Sequence, residues 1–152
     1  MSYAQSVLQP GEKIVLMARL HWIEYWPAVL ALVAGIVIVA WERTAVLGDV
    51  LIAATAIVFA ALFAMFFARA WFIRWITEFA VTDRRVISKR GFINRSTNEM
   101  NMDKIESVQV DQSILGRLLD YGTVTVRGTG EGLEPIMHVA APIAFRNAIT
   151  AK

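Results

Sequence analysis

The chain has 152 residues, 57% of them hydrophobic and only 18% charged, against about 45–50% and about 25% in soluble domains. That balance excludes a disordered chain, and the absence of cysteine excludes a disulfide scaffold, a thiolate metal site and a cysteine nucleophile. A net charge of +2, from 15 basic and 13 acidic residues, makes no electrostatic case for a nucleic-acid partner.

In chain order, an N-terminal segment (1–24) comes first. After Pro10-Gly11, its stretch Glu12–Trp22 is apolar without a helical stripe and reads as a strand. It can pair with a downstream sheet or lie along a membrane interface. From Tyr25 to Ile76 the composition changes: 42 of 52 positions are hydrophobic, against 31 of 76 from Thr77 to Lys152. Two spans there carry no charge, Tyr25–Trp41 and Val50–Ala68. A membrane-crossing helix needs about 20 apolar residues, with a range of about 17–25, and both spans meet it. So short a chain has too little other protein to cover two such helices all round, so 25–76 reads as a transmembrane hairpin. All five tryptophans (Trp22, Trp26, Trp41, Trp71 and Trp75) flank the spans, where indole rings favour the headgroup level. Pro27 falls where its missing N–H costs nothing.

The span interiors hold no ionisable residue, which excludes a charge-lined transport path. Thr55, the polar side chain at depth, is expected to bond its own helix backbone. Glu42–Asp49 leaves only a short turn, so both termini share a side. Lys13, Arg19, Arg69, Arg74, Arg84 and Arg85 lie on that side, against Arg43 in the turn, which makes both termini cytoplasmic. A span starting at residue 25 with a second behind it is an anchor rather than a cleaved signal peptide.

Residues 77–152 read as a separate cytoplasmic domain of short strands: Thr77–Thr82, Arg85–Arg90, Phe92–Met100, Lys104–Asp111, Thr123–Gly128 and Pro135–Ala140. Ser113–Leu119 and Pro142–Ala151 read as helices, the second able to plug the open end of a small barrel. The fold class is therefore α+β: a two-helix transmembrane hairpin followed by a small antiparallel β barrel with a C-terminal helix.

The ordered set Pro10-Gly11-Glu12, His21-Trp22, the hairpin, Phe79-Ala80-Val81-Thr82-Asp83-Arg84-Arg85-Val86-Ile87, Gly91, Asp103-Lys104-Ile105-Glu106-Ser107-Val108-Gln109-Val110, Gln112-Ser113-Ile114-Leu115-Gly116-Arg117 and Tyr121-Gly122-Thr123-Val124 is similar to one family. The chain resembles the bacterial membrane-anchored pleckstrin-homology-like proteins over nearly its whole length. The resemblance implies a bent antiparallel barrel capped by a C-terminal helix, a place in the bacterial inner membrane, and Thr82, Asp83, Arg85, Gly91, Gly116 and Gly122 as fold-signature positions. It supplies no catalytic or ligand residues, and fold does not supply function.

Catalytic chemistry has no visible constellation. His21 and His138 lie 117 positions apart, with no metal-ligand spacing. Gly128–Gly132 lacks the strand–turn–helix setting of a phosphate loop and reads as a hairpin turn. No catalytic residue, metal or cofactor is expected. The one electrostatic feature is five basic residues in twelve positions: Arg84, Arg85, Lys89, Arg90 and Arg95. One arginine of Thr82-Asp83-Arg84-Arg85 is expected to salt-bridge or cap the turn. Arg84, Lys89, Arg90 and Arg95 are the candidates for anionic lipid contact, at about 1 kcal/mol per charge near a leaflet. The expected function is a non-enzymatic membrane-anchored module that binds lipid or protein. The alternative is a subunit of a larger membrane transport or envelope-maintenance complex, with the hairpin as interface to a membrane protein or a second copy.

Overall fold

A computed structural model describes residues 5, 7–45, 48–91, 96–130 and 132–151, and the side chains of all of these except Arg90 and Ser96. The chain divides into two compact units, one built from residues before Trp22 together with those from Arg74 onward, the other from Trp22–Ile73.

In the second unit a single 3-10 turn, Trp22–Tyr25, leads into helix α1, Trp26–Thr44, and helix α2 is Asp49–Ile76. Ala28, Ala31 and Gly35 form the buried face of α1. Gly35 is required by close approach, because a Cβ there would lie 2.6 Å from the Phe59 Cβ. The Tyr25 and Phe67 rings sit 5.1 Å apart, and Thr55 Oγ1 donates to Glu42 Oε1 at 2.9 Å. These contacts descend in one helix as they climb in the other, so the helices are antiparallel. Thr55 departs from expectation: its hydroxyl crosses to the partner helix. It can do so because α1 continues through Glu42 and Arg43 instead of ending at residue 41.

Among the described residues, the first unit holds antiparallel strands, two short α-helices and a 3-10 turn, Met102–Lys104. Its elements are β1 (Ile14–Ala18), β2 (Glu78–Thr82), β3 (Arg85–Arg90), β4 (Ser96–Asn101), β5 (Ile105–Asp111), α3 (Ile114–Leu118), β6 (Tyr121–Gly128), β7 (Ile136–Ala140) and α4 (Pro142–Thr150). The strands form two sheets, β1-β2-β3-β4 and β5-β6-β7. Of the expected strand Phe92–Met100, residues 92–95 lie outside the described residues, as does Glu131 in the glycine-rich connection between β6 and β7. The core is built by Phe79, Val81, Val86, Val124, Val126, Ile136 and Val139, with Phe145 of α4 fully buried as well. α4 packs on β1, β2, β5 and β6.

The apolar hairpin is thus inserted between two strands of one sheet. Ile14, Leu16, Met17 and Ala18 pair with Thr82, Val81, Ala80 and Phe79. Beyond β1 the same segment reaches the other sheet: Leu20 forms a bridge with Val139, Ala140 N donates to Arg19 O at 3.0 Å, and His21 N donates to His138 O at 2.6 Å. Val7 and Ile14 also pack against the buried pair Ala80 and Ile87. This cover explains why β2 and β3 do not alternate. Phe79 to Thr82 and Val86 to Ser88 are buried without a break, because both faces of these strands are covered.

Residues 7–21 therefore belong to the unit that the sequence places at 77–152. A fragment of 77–152 alone exposes the edge of β2, the edge of β7 and the Ala80/Ile87 face, and open edges of this kind aggregate. We expect such a fragment to give a collapsed amide NMR spectrum. The same fragment carrying residues 7–21 on a short linker should give a dispersed one.

Candidate functional site

The β2–β3 turn holds a dense polar network. Thr82, fully buried, ends β2 and folds its hydroxyl over the turn, accepting from Arg85 N at 2.9 Å and Arg84 N at 3.2 Å. It donates to Glu12 Oε1 at 2.7 Å. Asp83 clasps the N-terminal segment from the turn. Its Oδ1 accepts from Lys13 N at 3.0 Å, and its own N donates to Lys13 O at 3.1 Å.

Arg85 grips Glu12 with a two-pronged fork, Nε to Oε1 at 3.0 Å and Nη2 to Oε2 at 2.8 Å. The same guanidinium reaches Glu99 Oε2 at 2.8 Å and the Val7 carbonyl at 2.8 Å. Glu12's side chain has 0% exposure and Arg85's 12%, so this is an ion pair withdrawn from water. Such a pair is stable only when its remaining hydrogen-bonding capacity is filled, and Gln9 N supplies a further donor to Glu12 Oε2 at 2.8 Å. Burial alone pushes the Glu12 carboxyl up, but the donors from Gln9, Thr82 and Arg85 outweigh it, and the net shift is downward. Arg85 is raised, first by its hydrogen bond to Glu12.

This arrangement splits the basic run. Arg84 is exposed in the turn, its carbonyl accepting from Met102 N at 2.9 Å. Lys89 is half-buried on β3, facing Glu78 on one neighbouring strand and Thr97 on the other. Arg90 pairs with Ser96 through its backbone; its side chain and all of Arg95 lie outside the described residues. Arg85 spends its charge on Glu12 and Glu99. Of the other signature positions, Gly91 follows β3 with φ +87°, Gly116 lies within α3 and Gly122 near the start of β6. Trp22, Trp26, Trp41, Trp71 and Trp75 are all more than half exposed, at or near helix ends.

A second cluster escapes sequence spacing altogether. The fold brings the two histidines, 117 positions apart, to one aromatic ring. His21 stacks on Tyr121 at 5.2 Å and 26°, and His138 meets it edge-on at 5.8 Å and 70°. Asp120, His138 and Ala141 all adopt left-handed backbone there, with φ of 56°, 52° and 49°. The only sequence signal is that one histidine precedes the first span and the other lies in a late strand. Burial lowers the His21 pKa, assisted by the Arg74 cation and by His138, against a Leu119 backbone hydrogen bond and Asp120, which raise it. Among the described residues no group of three or more His, Asp or Glu is arranged to hold a metal.

The chain matches the family model of the bacterial PH domain from residue 15 to residue 152. No curated protein and no solved structure matches it.

The buried pair and the histidine cluster can each be tested. Arg85→Met leaves a buried carboxylate unpaired, and breaking a buried pair costs about 3–5 kcal/mol. Hydrogen exchange of β2 and β3 amides in the detergent-solubilised chain should accelerate accordingly, with Arg85→Lys intermediate because it keeps the charge and loses the fork. The pH response should have two stages. His21 has a lowered folded pKa, so its contribution to stability is fully present above the unfolded value of about 6.5 and declines as pH falls below it. Glu12 also has a lowered folded pKa, so its contribution is lost only at more acid pH, through that lowered value. A thermal midpoint that falls between about pH 7 and about pH 5 in the wild type should be flatter in His21→Gln.

Proposed function

The chain belongs to the bacterial PH domain family, and from that premise we propose that it is a non-catalytic binding module held at the cytoplasmic face of the inner membrane by α1 and α2. One observation carries the membrane part. The segments Trp22–Thr44 and Asp49–Ile76 have mean hydropathies of 2.1 and 2.7, yet only 11% and 6% of their most apolar stretches are buried. A helix apolar on all sides must be covered by protein or by lipid, and here protein leaves it open. At a rise of about 1.5 Å per residue the chargeless span Val50–Ala68 is about 28 Å long, close to the roughly 30 Å hydrocarbon core.

Lys13, Arg19, Arg69, Arg74 and Arg84 gather on the side of both termini, against Arg43 in the turn, which supports a cytoplasmic module. Anionic headgroup contact falls to Arg84, Lys89, Arg90 and Arg95, with Arg85 committed to Glu12 and Glu99. A second reading, in which the hairpin is the interface to a membrane-protein partner or a second copy, is favoured by an apolar groove of about 230 Å³ between the helices, whose walls include Leu32, Gly35, Val39, Ala56 and Phe59.

Reporter insertions test the topology. Alkaline phosphatase placed in the turn after Thr44 should be active and the same enzyme fused after Lys152 inactive, with green fluorescent protein giving the reverse pattern. Activity at both positions, or at neither, removes the anchor.

A further inference from the structure

Helix α3 presents its aliphatic residues to water. Ile114, Leu115 and Leu118 are 88%, 62% and 80% exposed, whereas β6, to which α3 leads, buries Val124 and Val126 completely. Exposed apolar groups concentrated in this way mark a contact surface.

The presentation is fixed by built-in polar bonds. Ser113 caps the helix, its Oγ accepting from Gly116 N at 3.0 Å. Gln112 Nε2 donates to Gly116 O at 3.3 Å and to Tyr121 O at 3.1 Å. A Cβ on Gly116 would fall 2.6 Å from Tyr121 O, so only glycine lets α3 lie this close to the start of β6. The Gln112 amide and the Ser113 hydroxyl are thus tied to backbone atoms, and the aliphatics of the stretch are turned out.

Its place in the fold identifies the occupant. Tyr121, to which α3 is fastened, stacks on His21, and the next residue is Trp22, where the chain leaves for the apolar helices. One peptide step covers only about 3.8 Å, so the chain leaves the sheet unit directly after a residue in contact with Tyr121, the residue whose carbonyl holds Gln112. Arg117 is exposed among the aliphatics, while the exposed Asp111 and Asp120 lie beyond the two ends of the helix, so the face of α3 itself carries one cation beside its apolar groups, which suits an anionic surface with apolar depth behind it.

We propose that Ile114, Leu115 and Leu118 insert into the headgroup–acyl boundary of the same bilayer that α1 and α2 cross, making α3 a third membrane contact. The proposal rests on the membrane-spanning reading above. It goes beyond that reading by assigning a lipid-docking face to the sheet unit itself.

The chain has no cysteine, so single-cysteine variants can be labelled cleanly with an environment-sensitive fluorophore in the full-length protein. The vesicles are phosphatidylcholine and phosphatidylglycerol, with nitroxide lipids at shallow or deep positions. Thr129→Cys serves as the water-facing control, since it follows the far end of β6, about 25 Å from Tyr121 at strand rise. The Leu118→Cys label should emit further to the blue than the Thr129→Cys label. Shallow nitroxide should quench it several-fold more, and iodide several-fold less. Equal iodide quenching at the two positions overturns the proposal. So does a Leu118→Cys label shielded from both iodide and nitroxide, which would mean a protein or a second copy covers α3. Val37→Cys, midway along α1, separates the two failures: if deep nitroxide quenches it while Leu118→Cys stays wet, only the α3 contact falls, and if it escapes quenching, the anchor falls and α3 docking with it.

Discussion

The buried pair of Glu12 and Arg85 is the constraint on which the rest depends. Its partners stand 73 positions apart, on either side of the apolar insertion Trp22–Ile73. A sheet whose first strand is separated from its second by a long apolar hairpin needs a specific device to return the strand to its register. Backbone pairing alone tolerates slippage, because a one-residue shift keeps the hydrogen bonds and merely exchanges the faces. A two-pronged fork between two buried groups allows no such shift. Slipping β1 by one residue would put Glu12 on the wrong side of Thr82 and leave a charge buried without its partner. The hairpin itself lessens the closure problem, since antiparallel helices bring the chain back to the end from which it departed.

The same pair fixes the electrostatics of the module. From sequence, Arg84, Arg85, Lys89, Arg90 and Arg95 look like one basic patch. The fold withdraws Arg85 from that patch and places Lys89 opposite Glu78. Among the described side chains, Arg84 and Lys89 are left, and charge near a leaflet gives attraction without geometry. The aliphatics of α3 would supply the geometry that the arginines lack.

Different parts of this architecture are legible to different degrees, for physical reasons. The two apolar helices can be read directly, because a run of about 20 apolar residues is a signal of composition that does not depend on their order. β5 and β6 show their alternation in Val108/Val110 and Val124/Val126, as a sheet with one covered face should. β2 and β3 hide theirs, since Val7 and Ile14 cover the second face from the far side of the hairpin. Spacing also does not tell that Ile114, Leu115 and Leu118 face outward: an apolar i, i+1, i+4 pattern looks the same whether it is packed on a core or held in solvent. Thr55 misleads because its partner, Glu42, belongs to a last turn of α1 that the charge pattern assigns to the loop. The meeting of His21 with His138 depends on residues 19–21 bridging to β7, a long-range pairing that leaves no local trace.

These features combine in how a tethered module is oriented. The sheet unit is joined to its hairpin at two points in the chain, before Trp22 and after Ile73. The docking proposed for α3 would add a third attachment to the leaflet, through aliphatics held outward by the bonds of Gln112 and Ser113. On the proposed reading, attachment to one leaflet would raise the effective concentration of the sheet unit toward anything held in or near that leaflet.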